Sequence, residues 1–236
     1  MNFTYSTIKA ARLFARLLAI ALFIQLSFAA TVPRTIQVEG QHRPDAIAVT
    51  RVTLAGSDVQ CGLVASPSAL QPVTPVPADD NWLQKISLTL LNRTNKSIAY
   101  IQITLAFPET GDGSYQSPMR AAVLTLGQMP SGVAFNGSGQ PLKSAGAAQP
   151  LNLAPGQALT VNTADYANQI GTAVSSLPMS GVTKVVVRRT AVIFSDGMRW
   201  DEQGYAVMPS NNPGHWQRLD RTFFPGTAVW PPESNH

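Results

Sequence analysis

A chain of 236 residues is long enough for one hydrophobic core or two small ones. Charged residues make up only 13 % of it, and 17 glycines and 18 prolines suit strands joined by turns better than a helical bundle. Of 17 basic residues, Lys9, Arg12 and Arg16 crowd the start, leaving 14 basic against 13 acidic beyond them, which excludes a broad basic footprint for nucleic acid.

Those three basic residues precede an apolar run from Leu17 to Phe28, and Ser27-Phe28-Ala29-Ala30 supplies small residues at its end. No acidic residue occurs before Glu39. This is the pattern of a cleavable secretory signal over 1–30, with the mature chain starting at or near Ala30. The run is interrupted by Gln25 and falls short of the roughly 20 apolar residues that span a bilayer. The alternative is an uncleaved anchor that begins at Leu13, with Arg16 reaching back to the interface. No cysteine near the junction offers a lipid anchor, and no second long apolar run follows. The expectation is therefore a secreted or periplasmic protein with no stable membrane span after cleavage.

Residues 31–80 read as N-terminal strands and a proline-rich connector. Ile36–Val38 and Ala46–Ala55 are strand candidates, and Val59, Cys61 and Leu63 alternate onto one face. Cys61 is the only cysteine, so no intrachain disulfide forms, and its apolar neighbours point to a buried small hydrophobe. From Ser66 to Asp80 the prolines predict an extended crossover.

The main β domain is expected over 81–208. Trp82, Ile86, Leu88 and Leu90 alternate with polar residues; after the polar turn Asn92–Ser97, Ala99, Ile101, Ile103, Leu105 and Phe107 share a face. Two such runs about a turn predict an antiparallel hairpin with one face on a core. A strand is predicted at Ala121–Leu126, and Pro155-Gly156 predicts a type II turn into a strand through Leu159 and Val161. A single helix is predicted from Thr163 to Leu177, capped by Thr163, with Tyr166, Ile170, Val174 and Leu177 on one stripe. The run Val182–Phe194, apolar on both faces around Arg188 and Arg189, predicts a central strand. Asp196-Gly197 then predicts a two-residue turn that sets Ile193 opposite Trp200 and buries the tryptophan beside Val185, Val187 and Ala191.

Four features in this order resemble the immunoglobulin-like β-sandwich modules of secreted bacterial proteins. They are the polar turn after Leu90-Leu91-Asn92, the Ile-rich strand Ile98–Phe107, the strand start Leu153-Ala154-Pro155-Gly156, and the late run Phe194-Ser195-Asp196-Gly197-Met198-Arg199-Trp200. The resemblance spans roughly Trp82 to Trp200 and implies an antiparallel sandwich with one short helix. Its motifs are turns, so it carries fold further than function.

No nucleophile elbow, zinc-protease motif, phosphate loop or dinucleotide fingerprint is present. The histidines are His42, His215 and His236, and only His215, in a Pro-Gly turn, invites a role as base or ligand; it lacks a spaced partner. Asp196, Asp201 and Glu202 lack the alternating oxygen pattern of a calcium loop. No metal or cofactor is expected. Asn92, Asn95 and Asn136 each head a glycosylation acceptor triplet, which matters only in a eukaryotic source.

The tail, 209–236, is rich in proline and glycine, yet it holds Trp216, Phe223, Phe224 and Trp230. Three of the chain's four tryptophans lie at or beyond Trp200. Either the aromatics fold back onto the domain, or they present a surface to an extracytoplasmic protein or a glycan, with Trp216, Trp230, Arg218 and Arg221 as contacts. Fold-back is expected for Trp216, Phe223 and Phe224, and exposure for Trp230. The sequence points to a non-enzymatic structural, accessory or interaction module. A glycan-binding surface is the alternative, and an unrecognised hydrolase a third.

Overall fold

A computed structural model describes residues 32–39, 45–59, 62–64, 75–111, 119–130, 151–178, 181–212, 214–220 and 222–225. The segment expected to be a secretory signal (1–30), most of the proline-rich connector, His42, Cys61, Asn136, Arg221, Trp230 and His236 lie outside these. In chain order the strands are β1 (Val32–Glu39), β2 (Ile47–Leu54), β3 (Ser57–Asp58), β4 (Gly62–Val64), β5 (Val76–Ala78), β6 (Ile86–Asn92), β7 (Ile98–Phe107), β8 (Arg120–Gly127), β9 (Ala158–Asn162), β10 (Lys184–Phe194), β11 (Arg199–Asp201), β12 (Gly204–Val207) and β13 (Gln217–Arg218). The α-helix among the described residues is α1 (Ala167–Val174).

One sheet is wholly antiparallel, in the order β3-β2-β6-β9. The other runs β8-β7-β10 and divides along the far side of β10. There β11 pairs antiparallel with Ala191–Ile193, and β1 pairs in parallel with Lys184–Val187. Beyond β11 follow β12 and β13, while β1 also pairs with β4 and β5. Both sheets feed one buried cluster, with Leu88 and Leu90 from β6, Ile103 and Leu105 from β7, and Val185 and Val187 from β10. The protein is mainly β, in two sheets across a shared core, an arrangement compatible with a β-sandwich.

The alternating faces of β6 and β7 and the central place of β10 are as expected, but the hairpin is not. β6 pairs with β2 and β9, β7 with β8 and β10, and the two do not pair with each other. Alternation reports that one face of a strand is buried, and a strand facing another across a core alternates as a paired strand does. The polar turn is an inter-sheet corner built on Asn92. Its buried amide donates to Lys96 O (2.8 Å) and Leu153 O (3.0 Å), and its carbonyl accepts from the Thr94 N–H (3.0 Å) and hydroxyl (2.8 Å). This commits the Asn92 side chain of the folded protein to structure.

The Asp-Gly hairpin also differs in register. Phe194 O accepts from the Gly197 N–H (2.9 Å), and the Phe194 N–H donates to Met198 O (2.8 Å). Ser195-Asp196-Gly197 is therefore a three-residue loop closed by Gly197 at φ +83°, rather than a two-residue turn. Trp200 consequently faces Val192, and Ile193 faces Arg199. A bulge between Arg189 and Ala191 shifts the phase of β10 by one residue. Val185 and Val187 point to the core before it, and Val192 and Phe194 after it. Trp200 is buried as expected, at 3 % exposure, but on the face of Val192 instead of Ala191.

The helical segment keeps its apolar stripe, with Ile170 and Val174 buried and Tyr166 and Leu177 packed against the core. Its first turn is a 3₁₀ helix, Thr163–Tyr166, and Thr163 does not cap it. The buried Thr163 hydroxyl lies 2.5 Å from Leu83 O and 2.9 Å from Ile86 O, and it accepts from the Ile86 N–H (3.2 Å). Tertiary partners have outcompeted the local cap. The Pro-Gly turn forms as expected: Gly156 has φ +71°, and the Gln157 N–H donates to Ala154 O (3.1 Å).

Candidate functional site

Of the four contact residues singled out in the sequence, Trp216 and Arg218 lie among the described residues, and the fold brings them to one edge of the larger sheet. β13 adds to β12 there, with Ala206 opposite Arg218. The half-buried Trp216 ring lies under the guanidinium of Arg199, 5.6 Å from carbon to centroid. Arg199 comes from β11, so the ring is clasped by a strand of the sheet it borders.

Asp201 is the hub of this edge. Arg218 makes a two-pronged contact with it, Nη1 to Oδ1 at 2.6 Å and Nη2 to Oδ2 at 2.8 Å, while Nη1 also reaches Gly204 O (3.1 Å). Arg199 Nη2 lies 3.0 Å from Oδ2, and the Gln203 N–H donates to Oδ1 (2.9 Å). Burial alone would raise the Asp201 pKa. The Arg218 hydrogen bonds, the Gln203 N–H and the charges of both arginines outweigh it and hold the carboxyl below its ordinary value. A depressed folded-state pKa contributes stability that is present above the unfolded value and lost as pH falls through the folded one. Asp201→Asn is therefore expected to lower the melting temperature at neutral pH and to flatten the fall on acidification below about pH 4. Parallel acid limbs for both proteins would show that Asp201 titrates as it does in the unfolded chain.

Arg218 thus serves as a clamp between tail and sheet. Asp196 is likewise engaged, accepting from the Met198 N–H (3.2 Å) and pairing with Lys96. No group of three or more His, Cys, Asp or Glu side chains converges among the described residues. His215 is exposed in its turn.

Past Arg218 the tail folds back. The Leu219 N–H donates to Tyr205 O (2.9 Å), and Pro225 O accepts from the Asn95 N–H (3.0 Å) in the β6–β7 corner. Phe223 and Phe224 meet the Tyr205 ring edge-on at 5.6 and 6.1 Å, and Tyr205 stacks on Phe194 at 6.2 Å. The buried tyrosine loses solvation of its anion, which drives its pKa far upward. Both phenylalanines are half-buried, so Phe223→Ala and Phe224→Ala are each expected to cost about 2 kcal/mol, less than a fully buried ring. Melting midpoints unchanged from the parent would mean that this end of the tail contributes no packing.

The least legible feature is the buried charge next to this edge. Arg93, Arg189 and Asp45 are all buried, and Arg189 pairs with Asp45. Arg93 feels the charges of Asp45 and Arg189 and neighbours Tyr205, and burial lowers its pKa. The one available signal was Arg189 itself, an arginine in the middle of an apolar strand.

No family model, no curated protein and no solved structure matches the chain. Among the described residues, no helix is long and apolar enough to cross a membrane.

Proposed function

We propose that the chain is an exported, non-enzymatic module of immunoglobulin-like topology that acts outside the cytoplasm as a structural, accessory or interaction domain. The observation that carries this reading is the strand order. β2, β6 and β9 fall in one sheet and β8, β7, β10 and β11 in the other. The chain crosses between sheets from β6 to β7, from β8 to β9 and, through α1, from β9 to β10. Crossings of this Greek-key kind support the immunoglobulin-like reading. Export rests on the basic start, apolar run and small residues of the first 30 positions.

The charged groups of this edge and of the Asp196 turn support the structural reading, because Arg218, Arg199, Asp201 and Asp196 spend their charge joining strands and turns. The half-exposed Trp216, with Arg199 against its ring, favours a glycan-binding surface as the second reading. One preparation tests both. The full chain is expressed in a bacterium, recovered from the extracytoplasmic fraction, its N-terminus determined by mass, and the purified protein applied to a glycan array. The expected result is a start at or near Ala30 and no saturable glycan signal. Retention of Met1 in the cytoplasm would overturn export. Saturable binding that disappears in Trp216→Ala would replace the structural reading with the glycan one.

A further inference from the structure

An unpaired sheet edge offers backbone N–H and C=O groups to another strand, and several edges of this fold are blunted against that. The β3–β2 edge carries the Arg51–Asp58 ion pair and a bulge between Val49 and Arg51. β13 is two residues long, and its Arg218 is clamped to Asp201. β9 is five residues long and exposes Ala158, Thr160 and Asn162, none of them a large apolar side chain. β8 is different.

β8 runs for eight residues without a proline, and its pairing with β7 is unbroken from Arg120 opposite Phe107 to Gly127 opposite Tyr100. Among the described residues no strand pairs with its other side. The Tyr166 hydroxyl donates to Thr125 O (2.9 Å), so that carbonyl turns away from β7. Backbone groups alternate along an antiparallel ladder, so Ala121 and Val123 turn theirs the same way. The Arg120 N–H, which donates to Thr110 Oγ1 (2.7 Å) beyond the end of β7, keeps that alternation. Across the outer edge the N–H and C=O of Ala121 and Val123 meet no partner among the described residues. Both side chains are exposed, and Val123, at 43 %, is the exposed large hydrophobic among those residues.

We propose that β8 pairs antiparallel with β8 of a second copy of this chain, about a two-fold axis at Ala122, to give a weak dimer whose larger sheets are continuous. The open stretch is complementary to itself. With the axis at Ala122, Ala121 lies opposite Val123 of the second copy, and the two exchange their N–H and C=O groups. Those are the groups left open, and Thr125 O keeps its bond from Tyr166. On the outer face each Val123 side chain closes on an alanine methyl. Arg120 is the one charge on the strand. The axis sets it opposite Leu124 of the second copy, so the two arginines stand about 13 Å apart along the strands, beyond the screening length of about 8 Å. Two-fold pairing uses the same edge of both copies and therefore closes at the dimer. So short a contact buries less than the roughly 1,000 Å² of a stable interface, which makes the dimer concentration-dependent. Pairing depends neither on export nor on any ligand.

Sedimentation equilibrium of the purified full chain is expected to show monomer and dimer in exchange below about 1 mM. Val123→Lys and Ala121→Lys each place a charge at an exposed edge position. Both are expected to keep the melting midpoint of the parent and to sediment as monomers. The register is read separately. In a Cys61→Ser background, Ala121→Cys and Val123→Cys chains are mixed in equal amounts and oxidised without unfolding. Direct opposition of the two positions predicts that the hetero-crosslink outruns both homo-crosslinks by more than random pairing allows. A parent that stays monomeric up to about 1 mM, a dimer that survives both lysine substitutions, or a mixture that crosslinks only at random would each overturn the proposal.

Discussion

Replacing Arg189 with methionine is expected to lower the unfolding free energy by about 3–5 kcal/mol, the cost of stranding one member of a buried ion pair. Arg189 and Asp45 are each 5 % exposed. Arg189 comes from β10, at the bulge that shifts the phase of that strand, and it binds both sides of the crossing from β1 to β2. Its removal leaves the Asp45 carboxylate in low dielectric without that partner and frees two backbone carbonyls from their donor. Asp45→Leu in the same chain is expected to recover part of the loss, because a buried pair replaced whole by apolar side chains is often tolerated. Urea unfolding of the single and double variants measures both quantities. A loss below about 1 kcal/mol for Arg189→Met, as for an exposed pair, would show that water reaches the crossing.

Trp82→Ala is the second large effect, expected at about 3–5 kcal/mol for a fully buried indole. Trp82 is 0 % exposed and begins a 3₁₀ turn, Trp82–Lys85, that delivers the chain into β6. Its ring carries Arg34, and its N–H shares Val182 O with the same arginine, so truncation both opens a cavity and loosens the anchor of β1. Trp82→Phe keeps most of the apolar volume but loses the indole hydrogen bond, and is expected to cost only about 1–2 kcal/mol. Denaturant unfolding should therefore rank alanine well below phenylalanine. Equal losses would assign the role of Trp82 to its hydrogen bond rather than to its packing.

The two effects mark what sequence reasoning could and could not reach. Ile86, Leu88 and Leu90, the odd positions of β7 from Ile101 to Phe107, and the Ile170–Val174 stripe are buried as their spacing predicts. The chain by itself determined those faces, because period 2 and period 3.6 are local properties of backbone geometry. It also determined the Pro-Gly turn, and it pointed to the fold-back of Phe223 and Phe224 without naming Tyr205 as the ring they meet. At the candidate edge it pointed to Trp216 and Arg218, but not to Asp201 as the carboxylate both arginines share.

Only the tertiary structure decided which strands are neighbours. β6 and β7 carry patterns that fit a hairpin, yet they lie in different sheets, because a buried face does not name the strand on either edge. The register of β10 against β11 was equally out of reach: Val192 and Ile193 are both apolar, so neither a two-residue nor a three-residue loop at Asp196-Gly197 sets a polar residue of β10 opposite Trp200 to reveal the choice. The buried arginines complete the pattern. Arg34 and Arg189 are charged residues that a linear reading places at the surface, and their partners, Val182 and Asp45, stand more than a hundred positions away. Desolvating a guanidinium is tolerable only where carboxylates and carbonyls converge on it, and that convergence exists only once the sheets have closed.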